Sequence, residues 1–168
     1  MPLKPGVRDL LAWLHAATPP VPCWVATSNS APVVARALAA HGLAAHFAGV
    51  VTSADVARPK PAPDVYVAAA QRALGAAYAP RAVLVVEDHR ASGLAAAALG
   101  MRVCAVHDGF RTAAAQWPAF AAAADYVAVR SLAELAAQLS AGTPPLPNRH
   151  CSACDSTTQL SELPAGPV

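Results

Sequence analysis

The sequence predicts an α/β domain, a doubly wound and mostly parallel sheet in three layers. Three observations predict it. Short apolar runs recur at residues 23–26, 47–52, 83–86, 102–106 and 126–129. Segments with helical spacing or dense in alanine separate them, and Gly42, Gly75 and Gly100 stand where those helices should end. Strands that alternate with helices need crossover connections, and crossovers make neighbouring strands parallel.

The elements follow in order. Val7, Leu10, Leu11 and Leu14 fall at i, i+3, i+4 and i+7, the pattern of an amphipathic helix. Three prolines in residues 18–22 break it. Residues 23–26 form a short buried strand, followed by Thr27, Ser28, Asn29 and Ser30. Ser30 is placed to N-cap a helix with Pro32 in its first turn, running to about Ala40. The next strand centres on Val50 and Val51. Pro59, Pro61 and Pro63 then force an extended loop that holds Lys60, and a helix follows over 65–74.

Val83, Leu84, Val85 and Val86 are four apolar residues in a row and read as a strand buried on both faces. The strand ends in Glu87 and Asp88. Alanines from Leu94 to Leu99 continue as a helix closed by Gly100. A strand at 102–106, a loop at 107–116, a short alanine-rich helix and a strand at 126–129 come next. Ser131 and Glu134 fit a capping box for a helix to about Leu139. Residues 1–140 are expected to form one core domain. The Pro-, Ser-, Thr- and Gly-rich segment 141–168 is expected to be a disordered tail.

Composition narrows the function classes. The 168 residues suit one domain with a sizeable core, being 55% apolar and only 13% charged. The net charge of +2 is scattered and aromatics are few, which argues against a nucleic-acid surface. Polar residues or proline interrupt every apolar run, so no membrane span is expected. No secretory apolar region follows the start, so a cytoplasmic protein is expected. Cys23 and Cys104 fall at buried strands and read as inert small hydrophobes. Cys151 and Cys154 form a CxxC beside His150. It reads either as a mobile tail or as part of a structural metal site, for which no second ligand pair is in view.

Three features carry chemistry. Ser28 follows one strand, Lys60 lies in a stiff loop after another, and Glu87 and Asp88 end a third. A hydroxyl, a fixed ammonium and paired carboxylates at strand C-termini suit a phosphate group and a Mg²⁺ ion. Each has an ordinary explanation too: a capping Ser, a solvated Lys, an Asp that caps the next helix.

Their order resembles the haloacid dehalogenase superfamily, especially phosphatases and mutases similar to β-phosphoglucomutase and phosphoglycolate phosphatase. Residues 25–30, Val-Ala-Thr-Ser-Asn-Ser, look like the family's second motif. Residues 60–66, Lys-Pro-Ala-Pro-Asp-Val-Tyr, look like the third, and Val85-Val86-Glu87-Asp88 through Met101 looks like the fourth. The resemblance spans about residues 5–139. It implies that Ser28 and Asn29 bind the substrate phosphate, that Lys60 is the catalytic and phosphate-binding lysine, and that Asp88 and Glu87 hold Mg²⁺. The implied reaction is Mg²⁺-dependent hydrolysis of a phosphorylated small molecule through a covalent aspartyl-phosphate.

The chain departs from the family pattern at several positions. His89 and Ser92 stand where Ser and Gly are usual, with Gly93 offering backbone freedom nearby, and Arg58-Pro59 replaces a glycine before Lys60. The larger departure is the first motif, an apolar strand ending in Asp-x-Asp whose first Asp attacks phosphorus. No Asp-x-Asp occurs in the 168 residues, and Asp9, Asp55, Asp64, Asp108 and Asp125 lack the right setting. The resemblance implies that this strand and the helical cap lie outside the chain. That strand would sit between those ending at Ser28 and at Glu87. Either those two strands close up, or another polypeptide segment fills the slot. The core alone is expected to be inactive; a non-catalytic phosphate-, Mg²⁺- or partner-binding relative is the alternative.

Overall fold

The structure, a computed structural model, describes residues 2–106 and 126–141. The elements are α1 (Val7–Ala16), β1 (Trp24–Ala26), α2 (Ala31–Ala40), β2 (Gly49–Val51), α3 (Asp64–Leu74), β3 (Leu84–Glu87), α4 (Arg90–Ala97), β4 (Arg102–Val106), β5 (Tyr126–Val129) and α5 (Leu132–Ser140). From α1 to β4 and from β5 to α5, strands alternate with helices as the sequence predicts. The expected loop at 107–116, the short helix after it, and the tail with His150, Cys151 and Cys154 lie outside the described residues.

Among the described residues all strand pairs are parallel, in two sheets. One is β1–β2, with Val25 opposite Val50. The other is β3–β4–β5, with Val85 opposite Val103 and Cys104 opposite Val127. The strands ending near Ser28 and Glu87 therefore do not close up. β1 and β3 each keep a ladder edge unpaired among the described residues.

Alternation along β4 places the two cores. Val103 and Ala105 pack with Val51, Val65, Tyr66, Ala69, Val85, Ala96 and Met101, under α3 and α4. Cys104 and Val106 point the other way, to Leu10, Val129, Leu135 and Ala136, under α1 and α5. Burial drives the Cys104 thiol up to about 12, so it behaves as a small hydrophobe. β3 corrects the expectation of a strand buried on both faces. Val85 and Glu87 are buried, but Leu84 is 39% and Val86 41% exposed. Among the described residues no helix buries that second face.

Several ends have clear local causes. Gly6 precedes α1 at φ 83, and a Cβ there would overlap the backbone of Leu132 and Ala133, so α1 starts flush against α5. Ser30 stands at the N-cap of α2 as expected, but its side chain makes no capping bond. The capping box at α5 is half formed. Ser131 Oγ accepts from the Glu134 N–H at 3.2 Å, while the Glu134 carboxylate takes the Arg130 N–H at 2.8 Å. Gly93 is buried within helical α4, so its backbone freedom is not used. Among the described residues no helix is long and apolar enough to cross a membrane.

Candidate functional site

The segment after β2 is a tight turn and not the extended loop that three prolines suggest. The Ala62 N–H bonds Pro59 O at 3.0 Å, and the Lys60–Pro61 peptide is cis. Arg58 closes the loop by a two-pronged pair with Asp64, from Nε at 3.1 Å and from Nη2 at 2.8 Å. This turn aims Lys60 inward. Its Nζ donates to Glu87 Oε2 at 2.6 Å and lies 4.6 Å from the Tyr66 ring centre.

Glu87 is the hub. Its side chain is only 7% exposed. Oε2 also accepts from the Tyr66 hydroxyl at 2.6 Å, and Oε1 accepts the His89 N–H at 3.0 Å. Burial pushes its carboxyl up. The Lys60 charge and hydrogen bond, with Tyr66 and the His89 N–H, outweigh that and hold it below the usual carboxylate range. Burial first, then the neighbouring Glu87 charge, pushes the Tyr66 phenol up, so it stays protonated and donates. His89 Nδ1 lies 3.1 Å from the oxygen of buried Ser92.

Asp88 does not cap α4. The N-cap residue is His89, and no side chain caps it. The Asp88 carboxylate, 30% exposed, instead meets the Lys4 ammonium at 3.0 Å. Lys60 after β2 meets the end of β3, so the C-terminal ends of the two sheets share one side, where open α/β sheets bind ligands. Ser28 and Asn29 lie exposed on the loop after β1 at that rim. Ser53 Oγ ties this loop to the end of β2 by donating to Ser28 O at 3.2 Å.

The structure thus joins Lys60 and Glu87 directly, sets Asp88 beside them in the chain, and leaves Ser28 and Asn29 on the neighbouring loop. Tyr66 and Lys4 were not singled out by the sequence. Tyr66 falls on the buried face of α3, where a tyrosine reads as core, and Lys4 signals nothing by its spacing. The other described aspartates are exposed or already engaged. Asp9 is exposed on α1. Asp55 accepts from the Thr52 N–H and hydroxyl at 2.8 and 2.7 Å and pairs with Arg72. These bonds, those from Thr52 foremost, lower the Asp55 carboxyl to about 2. Asp64 is held by Arg58. Asp108 and Asp125 lie outside the described residues.

Among the described residues no three His, Cys, Asp or Glu side chains gather around one point. A Mg²⁺ ion does not need three. It keeps several waters and takes one or two carboxylates beside phosphate oxygens. Asp88 fits such an ion, because its carboxylate already draws a cation, the Lys4 ammonium. Glu87 uses three of its about four lone-pair positions on Lys60, Tyr66 and the His89 N–H, leaving one.

The chain is 37% identical over 110 residues to the Drosophila melanogaster protein named "Probable pseudouridine-5'-phosphatase", covering 63% of this chain and 46% of that one. A "putative beta-phosphoglucomutase" from Thermotoga maritima superposes with a TM-score of 0.66 at 24% identity, over 82% of this chain and 60% of that one. A mutant of CbbY from Rhodobacter sphaeroides, in complex with xylulose-(1,5)-bisphosphate, superposes with a TM-score of 0.63 at 30% identity, over 79% and 56%. The chain thus spans about half the length of the curated relative it matches, and no more than 60% of these two structures. Residues 1–100 match the family model described as haloacid dehalogenase-like hydrolase, so the chain belongs to the haloacid dehalogenase-like hydrolases.

Proposed function

We propose that this chain is the phosphate- and Mg²⁺-binding core of a phosphomonoester hydrolase acting on a phosphorylated small molecule. The observation that carries the reading is the Lys60–Glu87–Tyr66 cluster beside Asp88 at the strand ends. Glu87 and the Tyr66 ring fix the Lys60 ammonium in place. Two of its three protons remain to meet phosphoryl oxygens, so little ordering is left for the moment of binding. The Ser28 hydroxyl and the Asn29 side chain, on the adjoining loop, add donors. Asp88, with the remaining lone pair of Glu87, holds Mg²⁺, which neutralises phosphoryl oxygens when bound.

The attacking carboxylate comes from outside these 168 residues in this reading, on an apolar strand that enters between β1 and β3. The two unpaired edges and the open face of Leu84 and Val86 support such a slot. The helical cap comes with that segment, and residues 1–140 are the core domain it completes. Free thiols at Cys23 and Cys104 suit the reducing cytoplasm. A second reading keeps the site and drops the reaction: a phosphate- or partner-binding module. The lack of any Asp-x-Asp in the chain favours it.

Calorimetry tests the shared part. Inorganic phosphate should bind residues 1–168 in Mg²⁺ and at least tenfold more weakly in chelator. Lys60→Ala and Asp88→Asn should each weaken it by a similar factor. Binding indifferent to Mg²⁺ and to both substitutions would remove the site.

A further inference from the structure

Lys4 is a group at the site that neither the resemblance nor the phosphate chemistry accounts for. Its position is fixed by backbone. Lys4 O accepts the Val7 N–H at 3.3 Å at the start of α1, and Gly6 lies directly on the backbone of α5. From this anchored turn the side chain crosses to Asp88, ammonium to carboxylate at 3.0 Å, with the two side chains 40% and 30% exposed. The carboxylate proposed for Mg²⁺ therefore already has a counter-ion, supplied from the first turn of the chain. Two cations beside one small carboxylate repel each other, so the arrangement favours one at a time.

We propose that the Lys4 ammonium is the resident cation of the Asp88 site, and that a divalent ion binds there by displacing it. Lys4 then sets the ion's apparent affinity and reports its arrival to the segment before α1. The inference rests on Asp88 being the metal carboxylate. The pair is part-exposed, and exposed pairs of this kind are weak, so the effect is a tuning of affinity and not a block.

The test is a Mg²⁺ titration of the full 168-residue chain, followed by calorimetry and by amide NMR. Lys4→Gln should bind Mg²⁺ about two- to fivefold more tightly than the native chain, and Lys4→Arg should stay within twofold of native. Arg8→Gln removes a charge whose guanidinium bonds His41 O, and it should leave the affinity unchanged. In the native chain the Lys4 and Gly6 amides should shift with the same midpoint as Asp88. Unchanged affinity in Lys4→Gln, with Asp88→Asn still abolishing binding, overturns the role of Lys4 alone. So does an equal gain in Arg8→Gln. Mg²⁺ binding that is absent, or that survives Asp88→Asn, overturns the metal reading and this inference together.

Discussion

Residues 1–168 alone should hydrolyse an aryl phosphate about 10⁴–10⁶-fold more slowly than the same residues joined to an apolar strand ending in Asp-x-Asp. The reason is what the described carboxylates are already doing. Asp55 is held by Thr52 and Arg72, Asp64 by Arg58, Glu87 by Lys60 and Tyr66, and Asp88 by Lys4. Each of these carboxylates is already bonded to a neighbouring cation or hydroxyl, and in the proposed reading Glu87 and Asp88 are given to Lys60 and to Mg²⁺ and not to attack. In the proposed reading Lys60 binds and polarises the phosphate, and the covalent intermediate falls to the carboxylate outside these residues. In the completed protein, Lys60→Ala should lower turnover by about 10²–10³, the cost of losing one fixed donor to developing charge. Release of nitrophenolate from its phosphate measures both. Rapid turnover by residues 1–168, abolished by Lys60→Ala, would place the nucleophile within this chain and refute the reading.

Glu87→Ala should destabilise the fold by about 2–4 kcal/mol, read from the urea midpoint, because it strands a part-buried ammonium and a buried phenol together. Lys60→Met should cost less, since Glu87 keeps its bonds from Tyr66 and the His89 N–H. A Lys60→Met/Glu87→Leu double variant should cost less than the sum of the two single ones, because no uncompensated charge is left behind. The pH dependence has a definite sign. Glu87 is held below its unfolded value, so the folded state binds fewer protons than the unfolded one in the acid range. Its contribution is complete above the ordinary glutamate value of about 4.3 and is lost as pH falls through the lowered one. Glu87→Gln should flatten part of that acid limb. Asp55 and Asp64, also lowered, should keep the remainder.

The sequence showed element order well, because each helix and strand is written locally. Val7, Leu10, Leu11 and Leu14 mark α1 by spacing alone, and Gly75 marks the end of α3. It also marked Lys60, Glu87 and Asp88, because short motifs at strand ends are local too. Long-range consequences were not legible. The run Val83–Val86 has the composition of a doubly buried strand, yet Leu84 and Val86 lie exposed on β3, which has one edge unpaired among the described residues. Three prolines restrict φ, but the chain still turns tightly at Pro59–Ala62, where Arg58 and Asp64 draw the ends of the loop together. Tyr66 and Lys4 join the site across 21 and 84 residues of chain, to Glu87 and Asp88. No periodicity records such pairings.

One measurement bears most directly on the shared rim. Inorganic phosphate is titrated, in saturating Mg²⁺, into isotopically labelled residues 1–168, and amide shifts are followed residue by residue. The account predicts that Ser28, Asn29, Lys60 and Asp88 move together with one midpoint, from three loops far apart in sequence. Shifts at Lys60 and Asp88 with none at Ser28 and Asn29, or with unrelated midpoints, would contradict a single phosphate site spanning the two sheets.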